Sequence, residues 1–340
     1  MRREPVPMTN EDACPCCLPE RASVDVSPQS AGRAIDLGPP RSTKPANGSL
    51  RQELATDLVD VSGGSFLMGT INRRFPADGE GPVREVTLDP FSISSHEVTN
   101  RQFADFVADT GYVTEAEKFG WSFVFHHFVS PQTSKSVTST VQSAPWWWRV
   151  DGSSWKHPEG PDSTWEDRPE NPVVHVSWND ALAFAGWAEM RLPTEAEWEC
   201  AARGGLEQAA YAWGEELTPN GRHMCNIWQG EFPRENSLED GFHGAAPVGS
   251  FPPNSFGLYD LAGNVWEWCL DWWSATFHQN DRRATRVNPK GPRQGQAKVI
   301  KGGSYLCHDS YCNRYRVGAR TSSTPDSSTG NMGFRLARSV

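Results

Sequence analysis

The chain has 340 residues, enough for one large domain or two of ordinary size and for a sizeable core. Acidic residues outnumber basic ones by 42 to 32, for a net charge of −10. A general nucleic-acid or anionic-membrane binder needs a basic face, so both classes are excluded, and no apolar run approaches the ~20 residues of a membrane helix.

The N-terminus, MRREPVPMTNEDACPCCLPERAS, lacks the apolar segment of a secretory signal. Residues 1–56 are rich in Pro, Ser, Arg and Asp and poor in apolar periodicity, which predicts a mostly disordered arm. From Leu58 the pattern changes, and 57–340 reads as one folded domain. The stretches 59–69 and 84–95 read as strands broken by Gly and Pro turns. Thr99 with Gln102 forms a capping box for a helix ending at Gly111. Ser177 caps a second helix with Ala181, Phe184, Ala185 and Ala188 on one face. Thr194 with Glu197 opens a third, closed by Gly204 and Gly205. From about 205 onward the expectation is short strands and long loops.

The elements do not alternate in a βαβ rhythm, so a doubly wound sheet is excluded and the fold class is α+β with a high irregular fraction. The 30 glycines and 26 prolines agree with that. All 15 tryptophans lie between Trp121 and Trp273. In a loop-rich core, buried indoles or bound cations are the expected ties between loops.

Of the eight cysteines, Cys200, Cys225 and Cys269 read as small buried hydrophobes. Cys307 and Cys312 differ, lying in KGGSYLCHDSYCNRYR between a Gly-Gly turn and a polar, aromatic run. No second pair at matching spacing accompanies them, which disfavours structural zinc. Spacing alone leaves an inert pair or a disulfide on equal terms with a redox pair or a metal site. Two thiolates by themselves suit a soft, low-coordinate ion such as Cu(I).

RLPTEAEWECAARGGL (191–206), CNIWQGEFP (225–233), GLYDLAGNVWEWCLDWW (257–273) and 301–337 with both cysteines resemble the formylglycine-generating enzyme family. So do 97–120 and 157–181. The resemblance covers about 58–338. It implies a single compact domain with little regular secondary structure, related to C-type lectins. It further implies oxidation of a cysteine in a C-x-P-x-R segment of an unfolded sulfatase to Cα-formylglycine, with O2 as oxidant and Cu(I) as cofactor. A non-catalytic sulfatase- or glycan-binding module of the same fold is the alternative. An iron oxidase is disfavoured, because the histidines show no H-x3-H or H-E-x-x-H spacing.

By that resemblance Cys307 and Cys312 hold Cu(I) as a near-linear pair, and Ser304, Trp266, Tyr311 and Asn331 line the oxygen pocket. Taken singly, Ser304 and Asn331 read as turn residues and Trp266 as core. Glu97 is implied as the partner of the substrate arginine, since guanidinium pairs with carboxylate. Trp121 stands where some members carry a second acid, and Ser122 matches the family. Two structural Ca2+ sites are implied. One uses Asn226 and Asp240 side chains with Ile227 and Phe242 carbonyls. The other uses Asp260 and Glu267 with Gly263 and Val265 carbonyls. Secretory members carry paired cysteines where this chain has Ala185, Ala202, Val317 and Leu336. Their absence, with the missing signal segment, implies a prokaryotic cytoplasmic protein. Nothing suggests an obligate oligomer, so a monomer is expected, and the charge and lack of an apolar span argue for binding neither nucleic acid nor membrane.

One segment stands apart. Cys17-Leu18-Pro19-Glu20-Arg21 is itself C-x-P-x-R, a match expected by chance on the order of a few per cent of the time. It reads as a pseudosubstrate or as an oxidisable segment. Copper delivery or thiol exchange by Cys14, Cys16 and Cys17, or a plain tail, are the alternatives.

Overall fold

The three helices expected from their start signals form in the computed structural model, which describes residues 18–21 and 48–340. Helix Asn100–Thr110 opens on the reciprocal Thr99–Gln102 box and stops at Gly111 in the left-handed conformation. Its Phe103 and Phe106 pack on Phe184 of helix Trp178–Trp187, with ring centroids 5.8 and 5.4 Å apart. Ser177 starts that second helix, and Asp180 completes a box there as well. Helix Glu195–Arg203 begins at Thr194 with Glu197 and ends at Gly204, where φ is 53°. A short helix, Glu115–Phe119, has its own Thr114–Glu117 box.

The stretch 59–69 divides into strands Leu58–Val61 and Gly64–Met68, and 84–95 into Arg84–Leu88 and Phe91–Ser94. The first break needs glycine. Gly63 has φ +71°, and a Cβ there would lie 2.4 Å from the Leu88 carbonyl oxygen. Gly64–Met68 pairs with Arg84–Leu88, while Phe91–Ser94 pairs with Leu58–Val61 on one edge and Ala337–Ser339 on the other. The first and last strands thus flank Phe91–Ser94 in one sheet.

The central sheet runs in the order Thr321–Ser323, Lys298–Lys301, Trp266–Trp272, Met332–Gly333. It carries the cysteine loop, which leaves at Lys301 and returns at Thr321. A further sheet pairs Trp121–Phe125 with Ala144–Asp151. The fold is α+β with little regular structure, as expected.

Indole N–H groups tie its loops together. Trp178 donates to the Cys269 carbonyl at 3.0 Å, Trp187 to Asp109 at 2.8 Å, and Trp268 to the Val176 carbonyl at 3.1 Å. Cys200, Cys225 and Cys269 are free thiols. Ala185, Ala202, Val317 and Leu336 are buried in apolar packing. Among the described residues no helix is long and apolar enough to cross a membrane.

The expectation of a mostly disordered arm to residue 56 is revised at two places. Gly48–Thr56 is a helix, held by buried Leu54 and by Glu53, which pairs with Arg101 at 2.9 Å. Leu18–Arg21 is docked on the domain. Cys14, Cys16 and Cys17 lie outside the described residues.

Asp271 sits buried at the start of helix Glu195–Arg203 and accepts the Glu195 N–H at 2.8 Å. Burial first, then the Glu195 charge, push its carboxyl up to about 7. Protonation therefore favours the folded state. The group's contribution is complete below the ordinary carboxyl range near pH 4, is lost as pH rises to about 7, and is flat above. Asp271→Asn keeps the acceptor without the charge. Its stability relative to wild type is expected to rise between pH 4 and 7, read as the difference in unfolding free energy across that range. A pH-independent difference contradicts the assignment.

Candidate active site

The cysteine pair is made by two tight turns. Strand Lys298–Lys301 ends at Gly302 and Gly303, and a Cβ on Gly303 would lie 3.0 Å from the Tyr315 backbone nitrogen, so the chain can turn there only as glycine. The Cys307 N–H then bonds to the Ser304 carbonyl at 2.8 Å, and the Cys312 N–H to the His308 carbonyl at 2.9 Å. These turns bring the two Sγ atoms to 2.9 Å, both buried. That is longer than a disulfide bond of ~2.05 Å.

The neighbouring site residues form a connected network. The Ser304 backbone N–H points to Cys307 Sγ at 3.4 Å, a contact that favours thiolate. Thr329 donates to Asn331 Oδ1 at 2.7 Å, and Asn331 Nδ2 donates to Ser304 Oγ at 2.9 Å. Ser304 Oγ also accepts the Leu306 N–H at 3.3 Å. Both contacts use the oxygen as acceptor, which leaves the hydroxyl proton to donate. Trp266 is fully buried, and its indole N–H has no acceptor among the described residues. Its own backbone N–H bonds to the Asn331 carbonyl at 2.9 Å. Tyr311 donates to the Leu306 carbonyl at 2.8 Å and stacks on Phe232, which sequence reasoning did not single out, with centroids 4.0 Å apart.

Trp121 and Ser122 come together at a second locus, around Arg21. The Arg21 guanidinium lies over the rings of Phe119 and Trp121, at 4.1 and 4.6 Å from their centroids. Its three nitrogens donate to the Asp326 carbonyl at 2.8 Å, the Trp121 carbonyl at 3.2 Å and Ser328 Oγ at 2.9 Å. Behind Ser328, Ser122 Oγ lies 3.0 Å away and 2.8 Å from Nδ1 of buried His175. Burial holds His175 neutral by pushing it down to about 4. Its Nε2 donates to the Pro158 carbonyl at 2.7 Å, so its Nδ1 accepts from Ser122. The segment Asp326–Asn331 joins the two loci. Its start holds Arg21 and its end holds Ser304.

Glu97 lies elsewhere. It is wholly buried, accepts from Asn264 Nδ2 at 3.2 Å and faces Arg335 at 4.0 Å. Its Oε2 has no hydrogen-bond partner among the described residues. Burial, then Asp260 and Glu267, push its carboxyl well above the usual range. The arginine pocket around Arg21 is accordingly built from carbonyls, a hydroxyl and aromatic faces rather than from a bidentate carboxylate.

The residues of the two implied calcium sites are largely engaged with one another and with neighbouring residues. Arg335 grips both oxygens of Glu267 at 2.6 and 2.7 Å, and Trp198 Nε1 donates to Oε2 at 2.8 Å. Asp260 accepts the Gly249 N–H at 2.7 Å, and burial pushes it up to about 6. Glu97, Asp260 and Glu267 thus bury three carboxyls around one guanidinium, and Gly263 and Val265 precede Glu267 on the same segment. An orphaned carboxylate oxygen in a net acidic cluster suits a hard cation.

At the other site Asp240 accepts the backbone N–H of Ile227 at 3.1 Å and of Phe242 at 3.0 Å. Gln229, missed in the sequence, donates to Asp240 at 2.9 Å and also to the Ile227 carbonyl. Asn226 Nδ2 donates to the Gly244 carbonyl at 2.8 Å. Hard oxygens converge there, so the donor chemistry fits calcium. Among the described residues no three His, Cys, Asp or Glu side chains already close on one point.

The cysteine pair fits Cu(I) in donor type, since both ligands are soft and buried.

A family model described as the sulfatase-modifying factor enzyme 1-like domain matches residues 43–340. The chain belongs to this family, that of the formylglycine-generating enzymes, and is of the prokaryotic type. A formylglycine-generating enzyme from Thermomonospora curvata is 62% identical over 84% of this chain and 94% of its own. One from Streptomyces coelicolor is 53% identical over 92% of this chain and 96% of its own. The solved structure of PvdO from Pseudomonas aeruginosa matches in fold with a TM-score of 0.57, at 24% identity, over 83% of this chain and 94% of that one. The protein is an enzyme.

Proposed function

We propose that the protein oxidises the cysteine of a C-x-P-x-R segment in an unfolded sulfatase to Cα-formylglycine, with O2 as oxidant and Cu(I) as cofactor. One observation carries the reading. Two buried thiols 2.9 Å apart connect, through Asp326–Asn331, to a pocket that already seats an arginine.

Bound Cu(I) would supply the one-electron chemistry that lets O2 oxidise the substrate cysteine. The chain's own residues position the reaction. Cys307 and Cys312 would hold the metal, and their burial excludes water, which strengthens each polar contact inside. Asn331 and Thr329 fix the Ser304 hydroxyl, leaving its proton directed to the reacting group. Trp266 offers a second buried N–H. Trp121, Asp326 and Ser328 read the substrate arginine, with Ser122 and His175 locking Ser328 in place. We further propose a cytoplasmic monomer that binds neither nucleic acid nor membrane. The free thiols of Cys200, Cys225 and Cys269 agree with a reducing compartment.

The test is a C-x-P-x-R peptide incubated with the protein, Cu(I), O2 and a reductant. Mass spectrometry is expected to find the aldehyde in place of the cysteine. An unchanged cysteine would contradict the reading.

Calcium would be structural, held by Asn226, Ile227, Asp240 and Phe242 and by Asp260, Gly263, Val265 and Glu267, with Glu97 beside the latter. Saturating calcium at about 100 times its Kd is expected to stabilise the fold by about 2.7 kcal/mol per site. A melting temperature indifferent to calcium and to chelator would contradict both sites.

A further inference from the structure

The arm is not a bystander. Leu18 and Arg21 are 4% and 7% exposed, although the segment belongs to a stretch whose composition cannot build a core. Leu18 joins the same buried cluster as Cys307, Cys312 and Trp266. The Arg21 backbone N–H donates to Ser327 Oγ at 3.1 Å, so the chain as well as the side chain is held. Every guanidinium nitrogen has an acceptor, and two aromatic rings cover the group. Taking an arginine this far from water is costly unless its donors are met. Here they are met by oxygens of Trp121, Asp326 and Ser328, which form a pocket shaped for a planar fork.

The register adds a second, independent fact. The residue seated is the arginine of C-L-P-E-R, the one segment of the arm that matches the pattern of the proposed substrate. Any other arginine of the arm (Arg2, Arg3, Arg33, Arg41, Arg51) would have brought a different flanking sequence.

We propose that Leu18–Arg21 is a built-in pseudosubstrate that occupies the arginine pocket of the substrate site and competes with external C-x-P-x-R peptides. This rests on the function proposed above. Access then depends on how often the arm leaves. If the arm is seated nine-tenths of the time, the competent fraction is about a tenth, and the apparent Kd for an external peptide is raised about tenfold. Tethering favours the arm, since a segment of the same chain competes at an effective concentration independent of dilution. A sulfatase chain presented in bulk or with further contacts would displace it.

The test is peptide binding to the metal-free protein, which separates recognition from turnover. The probe is a C-x-P-x-R peptide with serine for cysteine, carrying a fluorophore. Arg21→Ala in the full chain is expected to tighten binding about tenfold, because it removes the fork but keeps Leu18 in its packing. Deletion of residues 1–25 is expected to do the same. A peptide of residues 14–24, with Cys17→Ser, is expected to displace the probe from the deletion variant. Equal affinity for wild type, Arg21→Ala and the deletion variant would overturn the pseudosubstrate alone. Absence of binding to all three would overturn it together with the substrate reading beneath it.

Discussion

Serine in place of Cys307 or Cys312 is expected to abolish aldehyde formation, each substitution alone lowering turnover by at least about a thousandfold. The reason is donor chemistry. A hydroxyl is a hard, weakly acidic donor that does not replace thiolate for a soft monovalent ion. The two sulfurs act as a unit, so the double variant is expected to be no worse than either single one. The folded structure should persist, because serine fits the cysteine volume. Initial rates of peptide oxidation with the melting temperature as a control check this. Substantial activity in either single variant would reject the pair as the site.

The second large effect is on stability. Arg335→Met is expected to destabilise the fold by about 3–5 kcal/mol, the cost of stripping the countercharge from a buried ion pair. Arg335 is wholly buried, pairs with Glu267, faces Glu97 and also donates to the Ser94, Ser95 and Tyr259 carbonyls. Its loss strands three carboxyls and three carbonyls in one region. The melting temperature should fall on the order of 10 °C. Adding Glu267→Gln to Arg335→Met is expected to recover part of the loss, since the strongest unpaired charge is then removed. Denaturant unfolding of the four proteins of this cycle measures the coupling. An Arg335→Met protein as stable as wild type would contradict the role given to the cluster.

Features governed by a few adjacent residues are legible in the sequence. The boxes at Thr99 and Thr194 and the stops at Gly111 and Gly204 follow from local hydrogen bonding and left-handed backbone, and they form as read. Thr114 with Glu117 carries the same signal, and a helix of five residues answers it. Cys307 and Cys312 are close because the chain turns back between them at His308–Cys312, again a local matter.

What the sequence hides is long-range. Glu97 reaches Asn264 across 167 residues, and Glu267 reaches Arg335 across 68. No spacing rule links such positions. The arginine pocket is harder still to foresee, because most of its acceptors are backbone carbonyls and serines, residues that otherwise read as loop. Gln229 between Ile227 and Asp240 is hidden for the same reason. The helix Gly48–Thr56 escapes because its stability comes from Leu54 and the Glu53–Arg101 pair rather than from its own periodicity.

Anaerobic titration of the protein with Cu(I), with sulfur ligation read by X-ray absorption, bears most directly on the chemistry assigned to the thiol pair. The wild-type chain is expected to bind one more Cu(I) than the Cys307→Ser/Cys312→Ser chain, with two sulfur ligands on that ion. Equal copper in the two proteins, or an ion ligated by nitrogen and oxygen alone, would contradict it.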